Sequence, residues 1–430
     1  MLFPFSKSDV FARNLRRAKV ERNALELPDG YRQRSSMTRT LLVSGLVLLA
    51  ASSLALGDKL RVAAEPDGLA ELRPTAEADV DLDRMIGQTI MIGFSGQSEH
   101  DPGVKAVRDQ FAEGVIGGVV LYPENIDSAR QLRFLTAFLA NANSNLVPFI
   151  AVDQEGGMVQ RLTPRTGHTH YPSAQNMGRE AKPGLQDAAL HSYEAMAKEL
   201  AAAGINVNFG PVVDLSLNPW NTVIARRKRS FGSDPEAVIS LARTFIIAHR
   251  EANVATVAKH FPGHGSSWSD SHKTLPDISL SWQESELEPY AALARDGMLD
   301  MVMVGHLYHP RFSDGDRLPA SLSANAIHVL RADSGINFKG VVVSDDMEMG
   351  AVRERYSLED RVILALNAGV DLLVFSNVKS RDQDLGVKVH AIIAEGVRDG
   401  RIPRARIEAA YARIAALKQR LMAHDLSNAH

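Results

Sequence analysis

Eight short apolar, β-branched runs recur along the chain after residue 80, and this alternation constrains the fold more than any other feature of the sequence. The runs are QTIMIGF, VIGGVVLY, VPFIAVD, INVNFGPVVD, ATVAKHF, DMVMVGHL, GVVVSDD and DLLVFS. Their length and β-branched content read as strands, and longer amphipathic stretches lie between them. Two of those stretches, LQDAALHSYEAMAKELAAAG and DPEAVISLARTFIIAHREAN, close near Gly or Asn, as helix ends tend to do. Strands that are apolar throughout suit a parallel sheet covered by helices on its outer face. Eight such βα units over about 340 residues predict an α/β fold, the TIM (β/α)8 barrel. An open doubly wound sheet is the alternative. It is weakened because no glycine-rich phosphate loop follows the first strand.

The segment before the barrel has a different character. Residues 1–40 are basic, carrying Arg13, Arg16, Arg17, Lys19, Arg22, Arg32, Arg34 and Arg39, whereas residues 41–56 (LLVSGLVLLAASSLAL) carry no charge. Basic residues ahead of an apolar run keep that side in the cytoplasm and send the downstream chain across the membrane. The run is shorter than the ~20 residues of a comfortable span and suits a signal-peptide core. Two readings stand: Met37 is the true start, with cleavage near Ala55, or the basic leader is real and the run is an uncleaved membrane anchor. Both export the rest of the chain across the bacterial inner membrane, to the periplasm or beyond. Residues 57–80 read as a polar, Pro-bearing linker, which leaves 81–430 as a single folded domain. Composition adds exclusions. A net charge of −3 argues against nucleic acid as a partner. The absence of cysteine excludes disulfides, thiolate metal sites and a cysteine nucleophile.

Barrels of this kind build their sites at the C-terminal ends of the strands. Here the third run ends in Asp153, the fourth in Asp214, the fifth in Lys259 and His260, the sixth in His306, and the seventh in Asp345 and Asp346. After the fifth run comes Lys259-His260-Phe261-Pro262-Gly263-His264-Gly265, then Ser269-Asp270-Ser271-His272. Pro262, Gly263 and Gly265 mark a tight, non-helical path. Three roles fit these histidines. One is zinc binding, although no HExxH helix accompanies them. Another is structural hydrogen bonding, which suits His264. The third is acid–base chemistry, in which Asp270 supports the protonated form of His272 and fixes its orientation. Spacing alone leaves the three open.

From about Asp81 onward the chain resembles the single-domain β-N-acetylhexosaminidases of glycoside hydrolase family 3. The resemblance rests on Asp153-Gln154-Glu155-Gly156-Gly157, Arg229-Ser230-Phe231-Gly232, the Lys259–Gly265 stretch with Asp270-Ser271-His272, and Ser344-Asp345-Asp346-Met347. It implies that Asp345 is the nucleophile, His272 the acid/base and Asp270 its partner. It further implies that Asp153, Arg161, Arg229, Lys259 and His260 bind the terminal sugar. The Asp-Ser-His loop is typical of the N-acetylglucosaminidase branch. The implied protein is a retaining exo-glycosidase that takes terminal β-linked N-acetylhexosamine, N-acetylglucosamine in particular, from cell-wall fragments or chitooligosaccharides. It is expected to act as a monomer without metal or organic cofactor. A β-glucosidase or a phosphorylase of the same fold, and a non-catalytic glycan-binding protein, are the competing readings. Asp346 should face away from Asp345 along a pleated strand and is left out of the chemistry. Met158 stands where relatives commonly carry Arg.

Overall fold

A computed structural model describes residues 81–142, 146–180, 186–315 and 317–428. The basic leader, the apolar run at 41–56 and the linker to residue 80 lie outside the described residues. Among the described residues no helix is long and apolar enough to cross a membrane.

The strands are β1 (Ile90–Gly93), β2 (Gly118–Leu121), β3 (Phe149–Val152), β4 (Val207–Asn208), β5 (Ala255–Phe261), β6 (Met301–Val304), β7 (Val341–Asp346) and β8 (Leu372–Phe375). They pair in chain order, all parallel, and β8 closes on β1 through Ile90 opposite Leu373 and Met91 opposite Val374. Helices wrap this cylinder: α1 (Leu82–Gln88), α2 (Pro102–Glu113), α3 (Ala129–Ala140), α4 (Ala174–Glu180), α5 (Gln186–Ala202), α6 (Pro235–Glu251), α7 (Glu288–Arg295), α8 (Ala324–Arg331), α9 (Gly350–Arg353), α10 (Leu358–Ala368), α11 (Leu385–Arg398) and α12 (Arg404–Asn428). The chain is a TIM barrel, as the eightfold alternation predicts.

Alternation along each strand separates two cores. Met301 and Met303 of β6, with Val341 and Val343 of β7, pack inside the barrel, while Val302, Val304 and Val342 face the helices. Both faces are apolar, which is why the strands carry no polar alternation. Ile414, Leu417 and Leu421 of α12 join the inner cluster and close its lower end. Lys418 is buried there too. Its Nζ donates to Gln88 Oε1 and to the Gly117 carbonyl, both at 2.6 Å, and lies 4.5 Å from the Phe149 ring centre.

The fourth run departs from expectation. Only Val207–Asn208 of INVNFGPVVD forms regular strand, because Pro211 has no N–H to contribute. The chain nevertheless stays beside β5. Val213 N donates to the Lys259 carbonyl at 2.9 Å and Lys259 N to the Pro211 carbonyl at 3.2 Å. Asp214 is thereby carried to the rim without a continuous strand beneath it.

Candidate active site

Lys259, on β5 and 2% exposed, is held between two carboxylates: its Nζ lies 2.7 Å from Asp153 Oδ1 and 2.8 Å from Glu155 Oε1. Arg161 donates to the other oxygen of Asp153 at 3.0 Å. Arg229 forks onto Glu155, with Nε and Nη2 each at 2.8 Å. Burial alone would raise both carboxyls. Lys259 and Arg161 overcome it at Asp153, which falls far below the usual range, and Arg229 and Lys259 overcome it at Glu155, which falls to about 2. Both acids are anions at neutral pH. Three cations and two anions, locked by charge-assisted bonds, form a rigid, preoriented polar cluster.

His260 joins the cluster from the side. Its Nδ1 donates to Asp214 Oδ2 at 2.6 Å, and its Nε2 accepts from Arg229 Nη2 at 3.3 Å. Asp214 Oδ1 also accepts the backbone N–H groups of His260 (3.2 Å) and His264 (2.8 Å). Asp214 therefore orients a ring and a turn rather than meeting a substrate.

Asp345 stands at the end of β7, its Oδ1 accepting the Asp346 amide at 2.8 Å. Burial pushes its carboxyl up, but His306, His260, His272 and that amide outweigh burial and hold it below the ordinary aspartate range. An ionised, partly desolvated carboxylate is what nucleophilic attack requires. Asp346 does not face wholly away. The β7–β8 register shifts between Val343 and Asp346, so the strict pleat is broken and both acids line the same cavity. Its carboxyl is nonetheless occupied, with Oδ1 accepting from Glu348 N (3.0 Å) and Ser376 N (2.8 Å). Burial raises it to about 6. His306 bridges the Ser321 hydroxyl (2.6 Å) and the Asp346 carbonyl (2.9 Å) beneath these acids.

The loop after β5 folds over this floor. His272 Nδ1 donates to Asp270 Oδ1 at 2.8 Å, leaving Nε2 free to exchange a proton, and the ring is 63% exposed. Two backbone bonds dock the loop on α9: Gly350 N to the His272 carbonyl and Ala351 N to the Ser271 carbonyl, both 3.2 Å. A Cβ on Gly350 would lie 2.5 Å from the Lys273 carbonyl oxygen, so only glycine permits the approach. His264 Nε2 meets the Ser271 hydroxyl at 3.0 Å, and burial takes this imidazole down to about 4. The loop histidines thus keep separate partners and do not converge on one point. Asp345, His272, Asp270, Asp153, Arg161, Arg229, Lys259 and His260 all line one cavity of about 570 Å³.

Residues 81–417 match the family described as Glycosyl hydrolase family 3 N terminal domain. The chain belongs to glycosyl hydrolase family 3. Beta-hexosaminidase A of Pseudoalteromonas piscicida is 30% identical over 382 residues, covering 80% of this chain and 62% of that protein. A beta-hexosaminidase of Tolumonas auensis is 37% identical over 274 residues, or 63% of this chain and 78% of the relative. The solved structure of a family 3 beta-N-acetylglucosaminidase from a Paenibacillus species superposes with a TM-score of 0.72 at 32% identity, covering 80% of this chain and 63% of that one. The chain thus spans a little under two thirds of the Pseudoalteromonas and Paenibacillus proteins.

Within this family 3 barrel, the sequence reading gave no role to Glu155, buried behind the cavity wall, or to Tyr122, which forms part of it. Glu155 is the counter-ion that holds Arg229 and Lys259, yet it sits inside a motif where only Asp153 drew a role. Its place two residues after Asp153 was the available signal. Tyr122 lines the cavity directly after β2, at a strand end of the kind that supplied Asp153, Lys259 and Asp345.

Proposed function

We propose that the protein is a retaining exo-glycosidase that releases terminal β-linked N-acetylhexosamine, N-acetylglucosamine in particular, from cell-wall fragments or chitooligosaccharides. The observation that carries this reading is the docking of the Asp270–His272 loop over the cavity whose floor holds Asp345. The names of the beta-hexosaminidase and beta-N-acetylglucosaminidase relatives support the same substrate class.

The chemistry derives from the groups present. A carboxylate oxygen of Asp345 attacks the anomeric carbon as the bond from that carbon to the leaving oxygen breaks. His272 gives its Nε2 proton to the departing oxygen, and Asp270 stabilises the imidazole through Nδ1. The product is a glycosyl ester on Asp345. Water then loses a proton to Nε2 and attacks the same carbon, freeing Asp345 and retaining configuration. Retaining enzymes usually hold two carboxyl groups ~5–5.5 Å apart. A histidine acid replaces one of them here, so that spacing rule does not transfer. A histidine alternates readily between acid and base near neutral pH. Asp153, Arg161, Arg229, Lys259 and His260 hold the sugar against this pair. Residues 41–56 complete the proposal as the signal or anchor that exports the barrel.

The test compares an aryl β-N-acetylglucosaminide with an aryl β-glucoside. Release should be confined to the acetylated substrate. His272→Ala should lower kcat by about 10²–10⁴-fold, and Asp345→Asn by more than about 10⁴-fold. Equal cleavage of the glucoside would make the protein a glucosidase. Full activity of Asp345→Asn would remove the nucleophile assignment.

A further inference from the structure

Three large apolar side chains stand in solvent on three consecutive loops at one side of the barrel mouth. Met158 follows β3 and is 62% exposed, Trp220 follows β4 and is 66% exposed, and Trp268 follows β5 and is 70% exposed. Two exposed indoles and a thioether on neighbouring loops offer apolar surface beside a polar cavity, the kind of surface that meets a ligand. Their supports are built. Asn218 N donates to the Gly265 carbonyl (3.2 Å), Asn218 Nδ2 to the Ser267 carbonyl (2.8 Å) and Asn221 Nδ2 to the His264 carbonyl (2.8 Å). These bonds brace the Trp220 loop against the Trp268 loop, which carries Asp270 and His272 two and four residues further on.

The arc sits beside the sugar-holding cluster, because Asp153, Arg229 and Lys259 come from the same three βα segments. Met158 itself lines the cavity, as does Arg227 from the loop of Trp220. If the terminal sugar is held by that cluster, the next group along the substrate leaves past these loops. We infer that Trp220, Trp268 and Met158 form a leaving-group subsite for a neutral pyranose, so that the preferred substrate is a β-linked oligosaccharide of N-acetylhexosamine. The inference rests on the proposed hydrolase reading. A pyranose ring presents an apolar face of C–H groups that lies flat on an indole, with its hydroxyls directed outward. Arg227 supplies donors to those hydroxyls. A flexible thioether at 158 adapts to the ring without demanding a charge on it.

The experiment measures kcat/KM on N,N′-diacetylchitobiose and on methyl β-N-acetylglucosaminide, which has no second ring, both by release of N-acetylglucosamine. The ratio of the two constants is the readout. In Trp220→Ala/Trp268→Ala it should fall about tenfold or more, mainly through KM on the disaccharide. Tyrosine at both positions should restore most of it. Phe134→Ala, an exposed aromatic on α3 away from the mouth, should keep the wild-type ratio. An unchanged ratio in the double variant would overturn the subsite. So would a preference for a carboxylated leaving group that is lost with Arg227→Ala rather than with the tryptophans. Hydrolysis of neither glycoside by the wild-type protein overturns the hydrolase reading and the subsite with it.

Discussion

Lys259 makes the charged cluster possible, since one buried ammonium is shared by Asp153 and Glu155. Removing it would leave two buried carboxylates with only Arg161 and Arg229 to neutralise them. Lys259→Met keeps most of the side-chain volume but strips the charge, and an uncompensated buried ion costs about 3–5 kcal/mol. Urea denaturation should show a loss of that order, and the surviving folded fraction should show a raised KM. A stability equal to wild type would mean that the two guanidiniums suffice. Asp153, Lys259, Arg229 and Asp345 were legible in the sequence because each lies at or near a strand end or in a family motif. Glu155 was not. A carboxylate in a glycine-rich turn reads equally as a solvated surface group, and its partner Arg229 is 74 positions away. Asp346 was legible as a structural residue, but its direction was not, because the bulge in β7 breaks the alternation on which that argument relied.

The element on which the proposed chemistry depends is the loop between β5 and α7, and its shape depends on the groups packed behind it. Gly263 has φ +123°, and a Cβ there would lie 2.6 Å from Glu286 Oε2, so this buried acid packs directly on the turn that leads to His264. Trp282 Nε1 holds the same turn by donating to the Pro262 carbonyl at 3.0 Å. Burial raises the Glu286 carboxyl to about 7, and the nearby Asp214 anion adds to the rise, while Ser266 and the Gln283 amide offset part of it. A folded-state pKa raised above the unfolded value stabilises the fold fully below the unfolded value near 4.5, and the gain is lost as pH climbs to about 7. The amount is roughly 3 kcal/mol at 1.36 kcal/mol per unit. Glu286→Gln cannot ionise, so its denaturation midpoint should stay flat between pH 4.5 and 7.5 once shared background changes are subtracted, whereas the wild type declines relative to it. Parallel curves would show that Glu286 is ionised in the fold already at low pH. The sequence showed the unusual Pro and Gly content of this loop. It did not show the docking on α9 through Gly350, because two backbone bonds between segments about 80 residues apart leave no local pattern.

At the scale of the whole molecule, the barrel was the most legible feature, since eight repeats of one period carry more information than any single strand boundary. The period could not reveal how the lower end is shut. A lysine in a helix reads as surface, yet Lys418 of α12 enters the barrel bottom, where burial takes its amine down to about 7 and two carbonyl oxygens accept its hydrogen bonds. By donating to Gln88 and Gly117, this amine satisfies side-chain and backbone acceptors that an apolar plug would strand. The upper end, by contrast, is open and polar, so all the proposed chemistry faces one way. Where that mouth works depends on the leader. The export proposal rests on the basic residues of 1–40 ahead of the uncharged run at 41–56, and a polymeric glycan outside the inner membrane could be reached only by an exported enzyme. Residues 1–80 fused to a reporter that is active only beyond the inner membrane should yield an active fusion. A fusion beginning at Met37 should do so as well if the short leader is the true one, and the mature reporter should then be soluble. If the full basic segment is real, the fusion from Met1 should stay in the membrane fraction under alkaline extraction. An inactive reporter in both fusions would place the enzyme in the cytoplasm and confine its substrates to glycan fragments imported there.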